Sequence, residues 1–144
     1  MKILRATIKD LPEINRLNDK YFKEIRDFKK IIEGNHDYFY VGVENNKIIG
    51  FSGFHHYLWN NSASVIDIFV HPNFRKNGYG TKLIKKIIKE AKAIKARTVM
   101  AEAPSLSNAL IAYLKNGFRV CGFNDRYYDN TGKEIAMFLS KDLN

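Results

Sequence analysis

The chain has 144 residues, 45% of them hydrophobic and 27% charged, which excludes a disordered segment and is enough for one packed domain. Its 24 lysines and arginines outnumber 15 acidic residues and give a net charge of +9, so a polyanion is the natural electrostatic partner. No apolar run could cross a bilayer, and the single cysteine, Cys121, excludes an internal disulfide. We therefore expect one soluble, cytoplasmic domain over residues 1–144, with Cys121 as a buried thiol.

The N-terminal part of the chain predicts one strand and two helical segments. Residues 2–8 have the composition of a first strand, and Asp10 is expected to cap a helix that carries Pro12 in its first turn. An apolar stripe at helical spacing continues through Ile25 and ends near Gly34. We expect this helical region to cover one face of a sheet.

The middle of the chain predicts a hairpin, a strand and a long helix. Residues 38–43 and 48–54 read as strands joined by a turn at residues 44–47. Residues 65–70 are β-branched and aromatic, which indicates a buried strand. From Gly80 onward, apolar residues alternate with lysines at helical spacing, which predicts a helix with one core-facing stripe. The stripe consists of Leu83, Ile84, Ile87, Ile88, Ala91 and Ile94.

The C-terminal part predicts a strand, a helix and a closing hairpin. Residues 97–103 read as a strand, and a helix is expected to start within residues 104–108. Gly117 indicates a left-handed stop to that helix. Residues 119–123 and 134–139 then predict an antiparallel strand pair.

The loop between the strand at residues 65–70 and the long helix is the strongest candidate for a binding site. A strand, a glycine-containing loop and a helix direct backbone N–H groups and the positive end of the helix at one spot, which suits a phosphate. Gly78 permits a backbone angle closed to other residues, and Gly80 lets a bulky diphosphate approach the main chain. Arg75 and Lys76 add positive charge. The alternative is a plain turn between a strand and a helix.

This loop resembles the acetyl-CoA signature of the GNAT superfamily of N-acetyltransferases, in which arginine or glutamine is followed by spaced glycines. The pattern here is Arg75-Lys76-Asn77-Gly78-Tyr79-Gly80, preceded by Val70-His71-Pro72. Residues 109–118, Ala-Leu-Ile-Ala-Tyr-Leu-Lys-Asn-Gly-Phe, are similar to the family's second motif. The resemblance implies an α/β (α+β) fold of one GNAT-type domain. Its sheet would be mixed and mostly antiparallel, with six to seven strands and about four flanking helices.

The resemblance implies an enzyme that moves an acetyl group from acetyl-CoA directly to a primary amine. The amine could belong to a small molecule, a protein N-terminus or a lysine side chain. Where the family often has an asparagine this chain has Leu106, so Asn108 is the offset candidate for that contact. The residues that the resemblance assigns to acetyl-CoA binding are Ile68, Phe69, Val70, Arg75, Lys76, Asn77, Gly78, Tyr79, Gly80, Thr81 and Asn108.

Two proton transfers are needed, because an alkyl ammonium has a pKa of about 10 and the departing thiolate needs a proton. The resemblance assigns Tyr113 as the general acid; the alternative is a core aromatic on a helix face. It also suggests Glu102, at the end of a strand beside the cleft, as the base; the alternative is a surface carboxylate. Asp67 is the competing base, since a charge inside an apolar strand must be paired or functional.

Two other functions remain as alternatives, a catalytically silent acyl-CoA sensor and a basic nucleic-acid-binding domain supported only by the net charge. No metal site is expected, because the adjacent His55 and His56 point to opposite faces of a strand. Sheet edges near the C-terminal hairpin could pair between the subunits of a homodimer. A cationic small-molecule acceptor is favoured by the acidic residues Glu24, Asp27, Asp67 and Asp125.

Overall fold

The computed structural model describes all 144 residues and has seven strands and four α-helices. The strands are β1 (Lys2–Arg5), β2 (Asp37–Glu44), β3 (Lys47–Tyr57), β4 (Ser62–Val70), β5 (Thr98–Pro104), β6 (Arg119–Asn124) and β7 (Ala136–Asp142). The helices are α1 (Leu11–Leu17), α2 (Phe28–Glu33), α3 (Tyr79–Ala93) and α4 (Asn108–Lys115).

All seven strands form one sheet in the order β1-β2-β3-β4-β5-β7-β6. Only β4 and β5 run parallel, and the other neighbours are antiparallel. This mixed, mostly antiparallel sheet with four helices confirms the predicted fold class. None of the helices has the length and apolar character that crossing a membrane requires.

Two hydrophobic cores lie on opposite faces of the sheet, because side chains alternate in direction along each strand. On one face, Ile84 of α3 and Tyr113 of α4 belong to a cluster of 13 buried residues. On the other face, Ile14 of α1 and Phe28 of α2 belong to a cluster of eight, in which four phenylalanine rings pack in tilted and edge-to-face pairs at centroid distances of 4.9–5.7 Å. The helices therefore cover both faces of the central strands.

Strands β4 and β5 pair only over a short stretch before they separate. Residues 62–64 pair with residues 98–100, and residues 65–70 have no partner on that side. Opposite β3, the pairing shifts so that Ile66 is an extra residue, a β-bulge that bends the strand. The separation leaves backbone N–H and C=O groups of β4 available to a ligand.

Helix α3 follows the predicted pattern. Gly78 has a φ of +77° immediately before the first residue of the helix. The predicted core-facing stripe is buried at four of its six positions, while Ile88 and Ile94 are partly buried at the edge of the core. At the end of α4, Gly117 has a φ of +86°, which confirms the predicted left-handed stop.

The prediction that Ile25 lies on the stripe of the second helical segment is wrong, because residues 23–27 are not helical. A π-helical turn follows α1 and ends at Lys23, which has a φ of 58°, and α2 begins only at Phe28. The Asn18 side chain bonds the backbone N–H and C=O of Glu24, at 3.1 Å and 2.9 Å. These bonds compete with the helical pattern, so the chain leaves the helix and Ile25 is 96% exposed.

Three further local predictions differ from the structure. The first strand ends at Arg5 rather than continuing to residue 8. Asp10 precedes α1, but its carboxylate turns back to accept the N–H of Thr7 at 2.8 Å and does not cap the helix. Cys121 is exposed rather than buried, because β6 is an edge strand with little covering it.

Candidate functional site

A cleft of about 610 Å³ lies where the free part of β4 faces the first turns of α3 and α4. It brings together residues that are far apart in the sequence, including Tyr113 of α4 and Phe22 of the π-helical turn. Of the residues predicted to bind acetyl-CoA, Ile68, Phe69, Val70, Arg75, Lys76, Gly78, Tyr79, Gly80, Thr81 and Asn108 line this cleft. Asn77 does not line it.

The loop before α3 has open space in front of its backbone. A Cβ atom built on Gly78 or Gly80 would meet no atom within 4 Å, so neither glycine is required by protein packing. The first N–H groups of α3 have no acceptor within the helix, and the helix dipole favours a negative charge there. Asn77 shapes the loop from behind, since its Nδ2 donates to the carbonyls of Phe74 and Arg75, both at 3.1 Å. The arrangement suits a phosphate group in the cleft.

Tyr113 lies in the same cleft with its ring in the core. It is 4% exposed, and its ring packs edge-to-face on Phe118 with a centroid distance of 5.0 Å. Burial, with smaller effects from the charges of Asp67 and Glu102, raises the pKa of the Tyr113 phenol. The phenol therefore keeps its proton at neutral pH and can act as a donor.

A second cleft, of about 380 Å³, lies beside the first along the separated part of β4. Ile66 lines this second cleft and Ile68 lines the first. Glu102 of β5 also lines it, and the Glu102 Oε1 accepts a hydrogen bond from the hydroxyl of Tyr127 at 2.6 Å. That hydrogen bond, with a smaller contribution from burial, raises the pKa of Tyr127 to about 12. The two predicted catalytic residues therefore lie in neighbouring clefts.

Asp67, the competing candidate for the base, is buried and paired. Its side chain is 2% exposed, and its Oδ1 lies 3.3 Å from Nη2 of Arg26. The other oxygen, Oδ2, has no hydrogen-bond partner. Burial raises the pKa of Asp67 to about 7, although the positive charge of Arg26 acts in the opposite direction.

Neither Arg26 nor Tyr127 was predicted to be a site residue. Arg26 lines the second cleft, and Tyr127 holds Glu102. No local pattern could have identified these two residues, because each contact joins distant parts of the chain.

The adjacent histidines His55 and His56 have separate partners. His55 Nδ1 lies 2.6 Å from Asp37 Oδ1, and His56 bonds Asn61.

Comparisons with known proteins agree with this geometry. Residues 5–118 match the model of the Acetyltransferase (GNAT) family. The chain is 29% identical over 100 residues to the [ribosomal protein bS18]-alanine N-acetyltransferase of Haemophilus influenzae, an alignment that covers 68% of this chain and 67% of that protein. It is 35% identical over 83 residues to streptothricin acetyltransferase A of Bacillus subtilis, which covers 56% of this chain and 48% of that protein.

A solved structure shares the fold over its whole length. It is that of the putative streptothricin acetyltransferase from Bacillus anthracis in complex with acetyl coenzyme A, with a TM-score of 0.83 and 22% identity over 100% of both chains. The family match spans both the glycine loop and the second motif, so the resemblance seen in the sequence is confirmed. The chain belongs to the acetyltransferase (GNAT) family and is an N-acetyltransferase that transfers an acetyl group from acetyl-CoA to an amine.

Proposed function

We propose that the larger cleft binds acetyl-CoA, that the smaller cleft receives the amine, and that Tyr113 and Glu102 transfer the protons. The observation that carries this proposal is that successive stretches of β4, residues 64–66 and residues 68–70, line the two clefts where β5 separates from β4. A thioester in one cleft and an amine in the other would then meet between Tyr113 and Glu102.

Acetyl-CoA binding would use the main chain more than side chains. The unpaired backbone of residues 68–70 offers hydrogen bonds to the amides of the pantetheine arm, as the family resemblance implies. The N–H groups at the start of α3 would hold the diphosphate, with Arg75 and Lys76 supplying positive charge. Asn77 would act indirectly by fixing the loop, and Asn108 lies at the far wall of the same cleft.

Each proton transfer has a residue in a suitable place. Glu102 accepts the proton of the ammonium, which leaves the nitrogen lone pair free to attack the thioester carbonyl carbon. A carbon–nitrogen bond forms, the carbon–sulfur bond breaks, and Tyr113 donates its phenolic proton to the departing sulfur. The raised pKa of Tyr113 keeps that proton in place until negative charge develops on the sulfur. The hydrogen bond from Tyr127 keeps Glu102 in one orientation.

The acceptor class that we propose is the amino terminus of a protein. Its support is the relative that acetylates the alanine of ribosomal protein bS18. The second candidate is a small cationic amine, which the streptothricin acetyltransferase relative favours and which suits the acidic Glu102 and Asp67.

A thiol-release assay with acetyl-CoA tests the acceptor. It should compare peptides that begin with alanine, the same peptides blocked at the N-terminus but carrying lysine, and streptothricin. Release of CoA with the free-terminus peptides alone supports the proposal. Release only with streptothricin or with the blocked peptides would contradict it.

Residues 1–144 form one N-acetyltransferase domain in this proposal, and the enzyme works in the cytoplasm as a homodimer. The outer edge of β6 is unpaired and could add to the same strand of a second subunit. Val120 and Phe123 on this strand are 44% and 64% exposed, which would favour their burial between subunits. Sedimentation equilibrium of the wild type and of Phe123→Asp tests the dimer, since a monomeric wild type would contradict it.

A further inference from the structure

The segment from Lys23 to Asp27 contributes Arg26 to the lining of the second cleft and is fixed mainly at its two ends. At one end, the Asn18 side chain bonds both backbone groups of Glu24. At the other end, the Asp27 carboxylate accepts the N–H of Lys30 at 3.1 Å and caps α2. Between these anchors, neither Ile25 nor Arg26 takes part in helix or strand structure.

The contact that ties this middle part to the sheet is the ion pair between Arg26 and Asp67. The distance from Nη2 to Oδ1 is 3.3 Å. The other polar contacts of Arg26 are local, to Glu24 at 3.8 Å and to the carbonyl of Ile25 at 3.3 Å. The position of the Arg26 guanidinium over the cleft therefore depends on the charge of Asp67.

Arg26 and Glu102 line the same cleft. The charge of Arg26 also acts on Tyr127, the residue that bonds Glu102. It lowers the pKa of Tyr127, although the stronger effect of Glu102 raises that pKa. An ammonium bound in this cleft would be exposed to the charges of both Arg26 and Glu102. When Asp67 is ionised its charge neutralises that of Arg26, and when Asp67 is protonated only the exposed Glu24, 3.8 Å away, opposes the positive charge of Arg26.

We propose that Asp67 and Arg26 form a proton-controlled selectivity element of the acceptor cleft. Ionised Asp67 holds Arg26 on the cleft wall and neutralises it, which admits a cationic amine. Protonated Asp67 no longer neutralises Arg26, whose positive charge then opposes entry of the amine. Both residues act on acceptor binding and take no part in the chemical step. This inference rests on the proposed assignment of the second cleft to the acceptor.

The proton has a place to bind without breaking an existing contact. Oδ2 of Asp67 is buried and has no hydrogen-bond partner, so it can take the proton while Oδ1 faces Arg26. Burial raises the pKa of this carboxyl to about 7, so the change falls within the neutral range. Acceptor affinity should be high above pH 7 and low below it.

Other charged or titratable groups face this pair from several elements and must be separated from it in the experiment. Glu24 lies on the same segment as Arg26, Tyr113 approaches from α4, Glu102 from β5 and Tyr127 from the loop between β6 and β7. The bonded His55 and Asp37 lie on β3 and β2, and His55 lines the same cleft. Asp67 differs from the other carboxylates in being fully buried with one free oxygen.

Nuclear magnetic resonance tests the element independently of turnover. The Asp67 carboxyl carbon and the Arg26 Nε–Hε signal should titrate together with a midpoint of about 7. The Arg26 titration should vanish in Asp67→Asn and persist in Glu24→Gln, which removes an exposed acid near the same guanidinium. An Asp67 carbon that titrates in the usual range of an exposed aspartate, or an Arg26 signal that does not change with pH, would overturn the proposal.

Kinetics with the alanine peptide test its effect on selectivity. Comparing variants at each pH cancels the titration of the peptide amine itself. The ratio of acceptor KM in Asp67→Asn to that in wild type should be about fivefold at pH 8 and close to one at pH 6, with the KM for acetyl-CoA unchanged. A His56→Asn control, at a histidine that lines neither cleft, should keep the wild-type pH profile. A ratio that does not depend on pH would overturn the proposal, as would a collapse of kcat at constant KM, which would make Asp67 the base.

If no peptide is acetylated while the Asp67 and Arg26 signals titrate together, the assignment of the acceptor fails and the proton-controlled pair stands. If the peptide is acetylated and the signals do not titrate together, the pair fails and the proposed function stands. The two experiments therefore separate the two claims.

Discussion

Tyr113 combines a packing role with the proposed chemical one. Its ring contacts Phe118 within the larger core, while the residue also lines the cleft that we propose for acetyl-CoA. Removing the whole ring would create a cavity and confuse the two roles. Removing only the hydroxyl separates them, because phenylalanine keeps the ring and the shape of the core.

Tyr113→Phe should lower kcat about 100-fold, the usual loss when a general acid is removed. The KM for acetyl-CoA should stay within about twofold, because the hydroxyl is needed mainly as the sulfur leaves. Steady-state thiol release measures both quantities. Wild-type turnover in this variant would show that the departing sulfur takes its proton from another source.

Glu102→Gln should lower kcat/KM about 100-fold at pH 7 and much less near pH 10, where the acceptor amine loses its proton unaided. A pH profile of thiol release with one peptide amine measures the difference. Glu33→Gln on α2, also an exposed glutamate, is the matched control and should behave as wild type. An equal loss at every pH would assign Glu102 to positioning rather than to proton transfer.

The two glycines before and at the start of α3 are needed for different reasons. Gly78 is required for its backbone angle, with a φ of +77°. Gly80 lies inside α3 and faces open space, so a side chain there is compatible with the protein and not with a bound diphosphate.

Gly80→Val should weaken acetyl-CoA binding roughly tenfold or more, a loss of about 1.4 kcal/mol or above, with little change in the free energy of unfolding. Gly78→Ala should instead destabilise the fold by about 1 kcal/mol, because alanine is strained at positive φ. Isothermal titration calorimetry and urea denaturation measure the two effects. Lys89→Val on the exposed side of α3 is the control and should bind acetyl-CoA as wild type does. An unchanged affinity of Gly80→Val for acetyl-CoA would contradict the proposal.

The elements also show which parts of the structure are readable from the sequence. Helix α3 and the loop before it were predicted because hydrophobic spacing and glycine positions are local signals. The break at Lys23 was missed because the apolar periodicity continues through it, while a side-chain bond from Asn18 ends the helix. The separation of β4 from β5 and the bulge at Ile66 depend on strand pairing between distant residues. The contact between Arg26 and Asp67 could not be predicted either, because it also joins distant residues.

At the scale of the whole molecule, a basic protein keeps an acidic group in its interior. The net charge is +9, yet Asp67 lies buried beside the acceptor cleft with only Arg26 opposite it. Burial of a carboxylate costs free energy that one partly exposed arginine compensates only in part. The stability of the whole fold should therefore depend on the protonation of this one residue.

The sign follows from the raised pKa. The unfolded chain loses the Asp67 proton near its ordinary pKa, whereas the folded chain keeps it until about pH 7, so stability falls as pH rises between these values. Asp67→Asn has no such titration. Its free energy of unfolding relative to wild type should rise by on the order of 2 kcal/mol between pH 5 and pH 8. Urea denaturation at both pH values measures this, and a difference that stays constant with pH would contradict it.

The gap between β4 and β5 has a consequence for the resting enzyme. In the proposed binding mode, the pantetheine arm of acetyl-CoA makes the backbone hydrogen bonds that β5 does not make with β4. Between catalytic cycles the backbone of residues 65–70 has no partner on its β5 side. The folded enzyme would then be most stable with acetyl-CoA bound and least stable just after CoA dissociates. The concentration of acetyl-CoA would therefore also set the stability of the enzyme against unfolding.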